Sequence, residues 1–149
     1  MNALTEENIV VPATAQQLDA IHAALDRFWS NVAITAPRPP DGKWRAQFAT
    51  AVAEIAANII LHAYRGGREL GSMRLQLYAY PDQVEGYFSD QGDALISLPL
   101  VEDEPESDLM QLPESGRGLA IARAYLDELT YRRTAAETNE WRLMKRLAG

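Results

Sequence analysis

Hydrophobic positions fall into runs of two different periods along the chain. Leu18, Ile21, Leu25, Phe28 and Val32 recur at helical spacing and predict one amphipathic helix from about Ala15 to Val32. Thr14 and Gln17 stand where a capping box would start it. Trp44, Phe48, Val52, Ile55 and Ile59 form the stripe of a second helix, from about Lys43 to Ala63, closed by Arg65-Gly66-Gly67. The period then changes to two. Met73, Leu75, Leu77 and Ala79 alternate with Arg74, Gln76, Tyr78 and Tyr80, which predicts a strand with one wet face. Tyr80-Pro81-Asp82-Gln83 suits a tight turn, and Val84, Gly86 and Phe88 alternate with Glu85 and Tyr87, closing a hairpin. A short strand at Asn8–Val11, a third helix from Leu119 to about Leu126, and two last strands at Leu129–Thr134 and Glu140–Arg146 complete the set. Helices and strands in this order predict an α+β sandwich, with helices on one face of a mainly antiparallel, mixed sheet.

Composition narrows the picture. A chain of 149 residues with 47% apolar content is the size of one domain, taken as 1–149. Folding at this size hides roughly two thirds of the extended chain's surface. There is no cysteine and only His22 and His62, so disulfides, thiolate metal sites and poly-histidine sites are excluded. No basic apolar leader and no apolar run of spanning length are visible, so the expectation is a soluble cytoplasmic protein without a membrane segment. Formal net charge is -7. Between Pro99 and Ser115 the chain holds Glu102, Asp103, Glu104, Glu106, Asp108 and Glu114 and no Lys or Arg. That stretch accounts for nearly all of the net charge, and no basic face remains to hold a phosphate backbone, which argues against nucleic acid.

Three places could carry chemistry. The second helix is apolar nearly all round, with Ala46, Ala53 and Ala57 opposite its large side chains, which is the pattern of a buried helix. Glu54 and Asn58 nevertheless sit in it one turn apart, and His62 continues their stripe. They are either an exposed polar edge or a carboxylate base beside an amide ligand, facing a cleft. Asp90-Gln91-Gly92 follows a strand. It is either a plain turn or a place where an Asp accepts from an exocyclic amine while glycine admits a flat ring. Gly116-Arg117-Gly118-Leu119 opens a helix whose free N–H groups can hold phosphate, although glycines often mark helix starts. A P-loop motif is absent.

In this order, Glu54-x-x-x-Asn58, Asp90-x-Gly92 and Gly116-x-Gly118 resemble the N, G1 and G2 boxes of the GHKL ATPase superfamily. The run Glu54-Ile-Ala-Ala-Asn58-Ile-Ile-Leu-His62-Ala-Tyr64 is similar to that of the anti-sigma factor serine kinases of bacterial partner-switching systems. The resemblance implies a Bergerat-type two-layer sandwich. It implies that Asn58 holds Mg²⁺ bridging the ATP phosphates, that Glu54 is the general base, and that Asp90 binds the adenine amine. His62, Gly92 and position 94 would belong to the ATP site. Gly116, Arg117, Gly118 and Leu119 would meet phosphate, and the segment at about 99–117 would be the ATP lid. Thr138 or Asn139 would reach the adenine side. In one departure, Ala94 stands where the family has its second G1 glycine. The implied activity is ATP-dependent phosphorylation of a STAS-domain antagonist on serine, with a sigma factor or other regulator as second partner. The resemblance also allows a homodimer. The alternatives are an inactive ATP-binding module that sequesters a regulator, and a histidine-kinase fragment. The latter is disfavoured because Glu54 and the His-Ala-Tyr run suit the serine kinases better.

Overall fold

The computed structural model describes residues 2–62, 71–93 and 116–147. Its elements follow the expected order: β1 (Thr5–Pro12), α1 (Leu18–Thr35), α2 (Gly42–His62), β2 (Ser72–Ala79), β3 (Gln83–Asp90), α3 (Gly116–Tyr125), β4 (Glu128–Arg133) and β5 (Asn139–Arg146). The five strands form one sheet in the order β1-β2-β3-β5-β4. Every neighbouring pair among the described residues is antiparallel, so the expectation of a mixed sheet is corrected. The reason lies in the last hairpin. The crossover through α3 leaves β4 running the same way as β3. β5 turns back from β4 and inserts between the two, so the two strands of like direction never pair.

The inward face of the sheet is laid out in rows across the strands. Ile9, Leu75, Phe88, Trp141 and Tyr131 make one row, and Leu77, Gly86, Leu143 and Leu129 the next. Against these pack Ile21, Leu25, Phe28 and Val32 from α1 and Phe48, Val52, Ile55 and Ile59 from α2, all in one continuous core. Trp44 and Phe48 stack in parallel with ring centroids 5.8 Å apart, and Trp29 meets both edge-on. Trp44 also anchors α2 to the sheet, donating its indole N–H to the Arg146 carbonyl at 2.9 Å. The expected core stripes of α1 and α2 therefore face the sheet. The alanine side of α2 does not follow the expectation of complete burial. Ala46 is exposed and Ala53 and Ala57 are half-buried, because this flank points away from the Phe48, Val52, Ile55 and Ile59 stripe that packs on the sheet.

Local details differ from the sequence expectations in ways the hydrogen bonds explain. Ala15–Gln17 form a 3₁₀ turn before α1, and the Thr14 side chain caps nothing. The Gln17 N–H is already taken by the Thr14 carbonyl at 3.0 Å, so no capping box forms. The cap that does form is at α2, where Asp41 Oδ1 accepts from the Trp44 N–H at 2.8 Å. β1 is four residues longer than expected. Pairing with the full length of β2 recruits the polar stretch Thr5-Glu6-Glu7. α3 begins at Gly116, so both glycines of Gly116-Arg117-Gly118 lie in its first turn.

The outer face of the sheet is polar, as the alternation predicts. Arg142 there pairs with Glu128 at 3.2 Å and with Glu85 at 3.6 Å, and Glu85 accepts from Gln83 Nε2 at 2.6 Å and from the Tyr87 hydroxyl. No helix among the described residues is long and apolar enough to cross a membrane.

Candidate functional site

The last inward row of the sheet differs from the others. Its members are Val11, Met73, Asp90, Asn139 and Arg133, so a hydrophobic layer gives way to polar groups at one end of the strands. Asp90 ends β3 and Asn139 begins β5, and the register places them directly opposite each other. Both are buried, at 4% and 2% exposure. Asp90 Oδ1 accepts from the Gly92 N–H and from Asn139 Nδ2, each at 2.8 Å. Asp90 Oδ2 is buried and has no hydrogen-bond partner among the described residues. Burial raises the Asp90 carboxyl above the ordinary carboxylate value, while the bonds from Asn139 and Gly92 and the charge of Arg133 pull it down. A buried carboxylate oxygen without a donor is costly unless something else supplies one.

Asn139 is tied on every side. Its Oδ1 accepts from the Tyr131 hydroxyl at 2.6 Å and from Arg133 at 2.9 Å. Its Nδ2 donates to Asp90 and, also at 2.8 Å, to the Asp93 carbonyl. Arg133 in turn donates to the Gly92 carbonyl at 2.9 Å. The 90–93 turn is thus clamped from β4 and β5. Asn139 was one of two residues that the resemblance offered for this side. The other, Thr138, lies in the β4–β5 turn, its N–H on Thr134 Oγ1 at 3.2 Å and its carbonyl accepting from the Thr134 N–H at 2.9 Å. Tyr131 and Arg133 carry no motif and were not singled out from the sequence. Only the pairing of β4 with β5 places them on Asn139.

Above the sheet, α2 presents Glu54 and Asn58 one turn apart. Asn58 is buried at 7% exposure, and its Nδ2 has no partner among the described residues. Glu54 is half-buried and reaches α3. A Cβ added to Gly118 would stand 2.6 Å from Glu54 Oε2, so the carboxylate lies against the bare Cα in the first turn of that helix. A helix N-terminus offers unpaired N–H groups and a partial positive charge, which favour an anion. The base candidate and the phosphate candidate of the sequence reading are therefore neighbours. Leu119, beside Gly118, is buried in the core and pins α3 there.

Among the described residues no group of three or more His, Asp or Glu side chains could cage a metal. A divalent ion at Asn58 would take one amide oxygen from the protein and its other ligands from phosphate and water. This is the usual arrangement for Mg²⁺ with a nucleotide and fits a lone buried amide. Ala94 and most of the proposed lid fall outside the described residues, as do the side chains of His62, Gly116 and Arg117.

Comparisons with known proteins bear on the family and the fold. Residues 11–145 match the histidine kinase-like ATPase domain. The serine-protein kinase RsbW of Staphylococcus epidermidis is 26% identical over 126 residues, which cover 80% of this chain and 74% of that protein. RsbW of Staphylococcus aureus strain Newman is 25% identical over 124 residues, with the same coverage. Among solved structures, the RsbU and RsbW domains of Rv1364c from Mycobacterium tuberculosis match with a TM-score of 0.61 at 16% identity. That match takes in 96% of this chain but spans only 32% of the other, and at such identity it speaks to the fold.

Proposed function

The chain belongs to the histidine kinase-like ATPase domain family, and from that membership we propose that it is an ATP-dependent protein-serine kinase whose substrate is a STAS-domain antagonist protein. Its second partner is a sigma factor or another regulator, released or held according to nucleotide and phosphorylation. The observation that carries the reading is the place of Glu54. Its carboxylate lies against the first turn of α3, next to the N–H groups suited to phosphate. A base so placed has a use in phosphoryl transfer.

In this reading the Asp90 carboxylate accepts from the 6-amino group of adenine through Oδ2, the oxygen without a donor. The first turn of α3 holds phosphate oxygens. Asn58 would hold Mg²⁺ together with the phosphates, and the bound ion would supply neutralisation of the negative charge that accumulates during transfer. Glu54 takes the proton from the serine hydroxyl as its Oγ bonds to the γ-phosphorus. The bond from that phosphorus to the β,γ-bridging oxygen breaks, and ADP leaves. ATP places this chemistry in the cytoplasm.

The second reading, an ATP-binding module without activity, draws on Ala94, the departure from the family's second glycine. One experiment separates the readings. The purified protein, [γ-³²P]ATP and Mg²⁺ are incubated with a purified STAS-domain antagonist. The kinase reading predicts acid-stable phosphoserine on the antagonist that is lost without Mg²⁺. Nucleotide binding with no label transferred would favour the module, and acid-labile label would indicate histidine chemistry.

A further inference from the structure

We infer that Asn139, held by Tyr131 and Arg133, is the positioning residue that sets nucleobase selectivity by fixing which oxygen of Asp90 faces the ligand. The inference rests on the reading that this site takes a purine nucleotide. The orientation of the Asn139 amide is forced. Arg133 can only donate, so the atom it meets at 2.9 Å is Oδ1, and the Tyr131 hydroxyl donates to the same oxygen. Nδ2 then faces Asp90 and the Asp93 carbonyl, and both accept. The bond to Asp90 falls on Oδ1, which the Gly92 N–H also occupies. Oδ2 is left buried and without a donor among the described residues.

That division of labour produces discrimination. A carboxylate free to turn could offer either oxygen, or a water bound to one of them, to different bases. A carboxylate with one oxygen locked offers one acceptor in one direction. The 6-amino group of adenine donates to such an acceptor, whereas the 6-oxygen of guanine is itself an acceptor and is repelled. The same amide holds the Asp93 carbonyl, and Arg133 holds the Gly92 carbonyl. The turn immediately before Ala94 is therefore shaped by side chains of β4 and β5. In this chain, which lacks the second glycine, the strand side chains fix the turn.

The test is Asn139→Asp. The replacement has the same shape, and its Oδ1 still accepts from Tyr131 and Arg133. Only the NH₂ is lost, and an oxygen replaces it opposite Asp90 Oδ1. Two acceptors then face each other, so Asp90 must turn or take a proton, and Oδ2 is no longer a fixed acceptor. Calorimetry with ATP and GTP should show the ATP-over-GTP preference falling by about tenfold or more, the scale of a lost charge-assisted hydrogen bond. Turnover at saturating ATP should stay within about threefold, because the base and the phosphates are untouched. Tyr131→Phe keeps its ring against Trp141, 4.8 Å away between centroids, and removes one donor. It should shift the ratio in the same direction by a smaller factor, and it carries the test if the aspartate variant does not fold. An unchanged ATP-to-GTP ratio in the folded variants, with both affinities reduced alike, would overturn the inference and leave Asn139 a structural residue. A wild-type protein that binds no adenine nucleotide would overturn the nucleotide reading itself, and the inference with it.

Discussion

At Asp90, burial and hydrogen bonding act on the carboxyl in opposite directions, and burial is the larger effect. A folded-state value above the unfolded one means that the folded protein binds this proton more tightly. Stability from this group is then fully present below the ordinary carboxylate value and falls as pH rises through the raised one. At neutral pH the ionised Asp90 destabilises the nucleotide-free protein. Asp90→Asn keeps an oxygen for the Gly92 and Asn139 donors and removes the buried charge. Its melting temperature at pH 7 should therefore be at least that of the wild type. The advantage should shrink as the pH is lowered through the carboxylate range, while the ATP-over-GTP preference is lost. A variant that melts well below the wild type at every pH would show that Asp90 is there for stability rather than for a ligand. The motif made Asp90 legible in the sequence. Asn139 stands in a polar hairpin with no period to mark it. Only the insertion of β5 beside β3 sets it opposite Asp90.

Between elements, the contact of α2 with α3 depends on one missing side chain. An alanine methyl at Gly118 would meet the far end of Glu54, a flexible group that can move, and Gly118 lies in helical backbone. Alanine there relieves the low helix propensity of glycine, worth up to about 1 kcal/mol in a helix interior. Gly118→Ala should thus melt within a few degrees of the wild type or above it. Displacing the base by even an ångström should cost on the order of 100-fold in phosphotransfer. Equal loss of stability and activity would mean that the glycine serves only the packing of the two helices. At this scale the sequence was readable wherever a period ran long enough, as in the stripes of α1 and α2. It was least readable at the ends. Thr14 and Gln17 had the letters of a capping box, but a 3₁₀ turn used the backbone donor first. Asp41, two residues before Lys43, made the cap instead.

Across the whole molecule, the sheet buries its apolar rows under the helices on one face and leaves a polar row at one end of the strands. The alternation along each strand was enough to say which face is covered. The order of the strands was not in the pattern, because it is set by which connection crosses the sheet. Of the three signals that the sequence showed in family order, two meet directly, Glu54 with Gly118, while the third, Asp90, is held by Asn139. The claim that joins them is that Glu54 acts as a base on a protein hydroxyl while the rest of the site holds ATP. The most direct test compares wild type and Glu54→Gln in a single turnover, with Mg·ATP bound to saturation and the STAS-domain antagonist in excess. Transfer to serine should fall by about 100-fold to 10,000-fold in the variant. ATP affinity, measured on the same samples by calorimetry, should stay within about threefold, because glutamine keeps the shape and loses only the charge. Phosphoserine formed by Glu54→Gln at the wild-type rate would contradict the account.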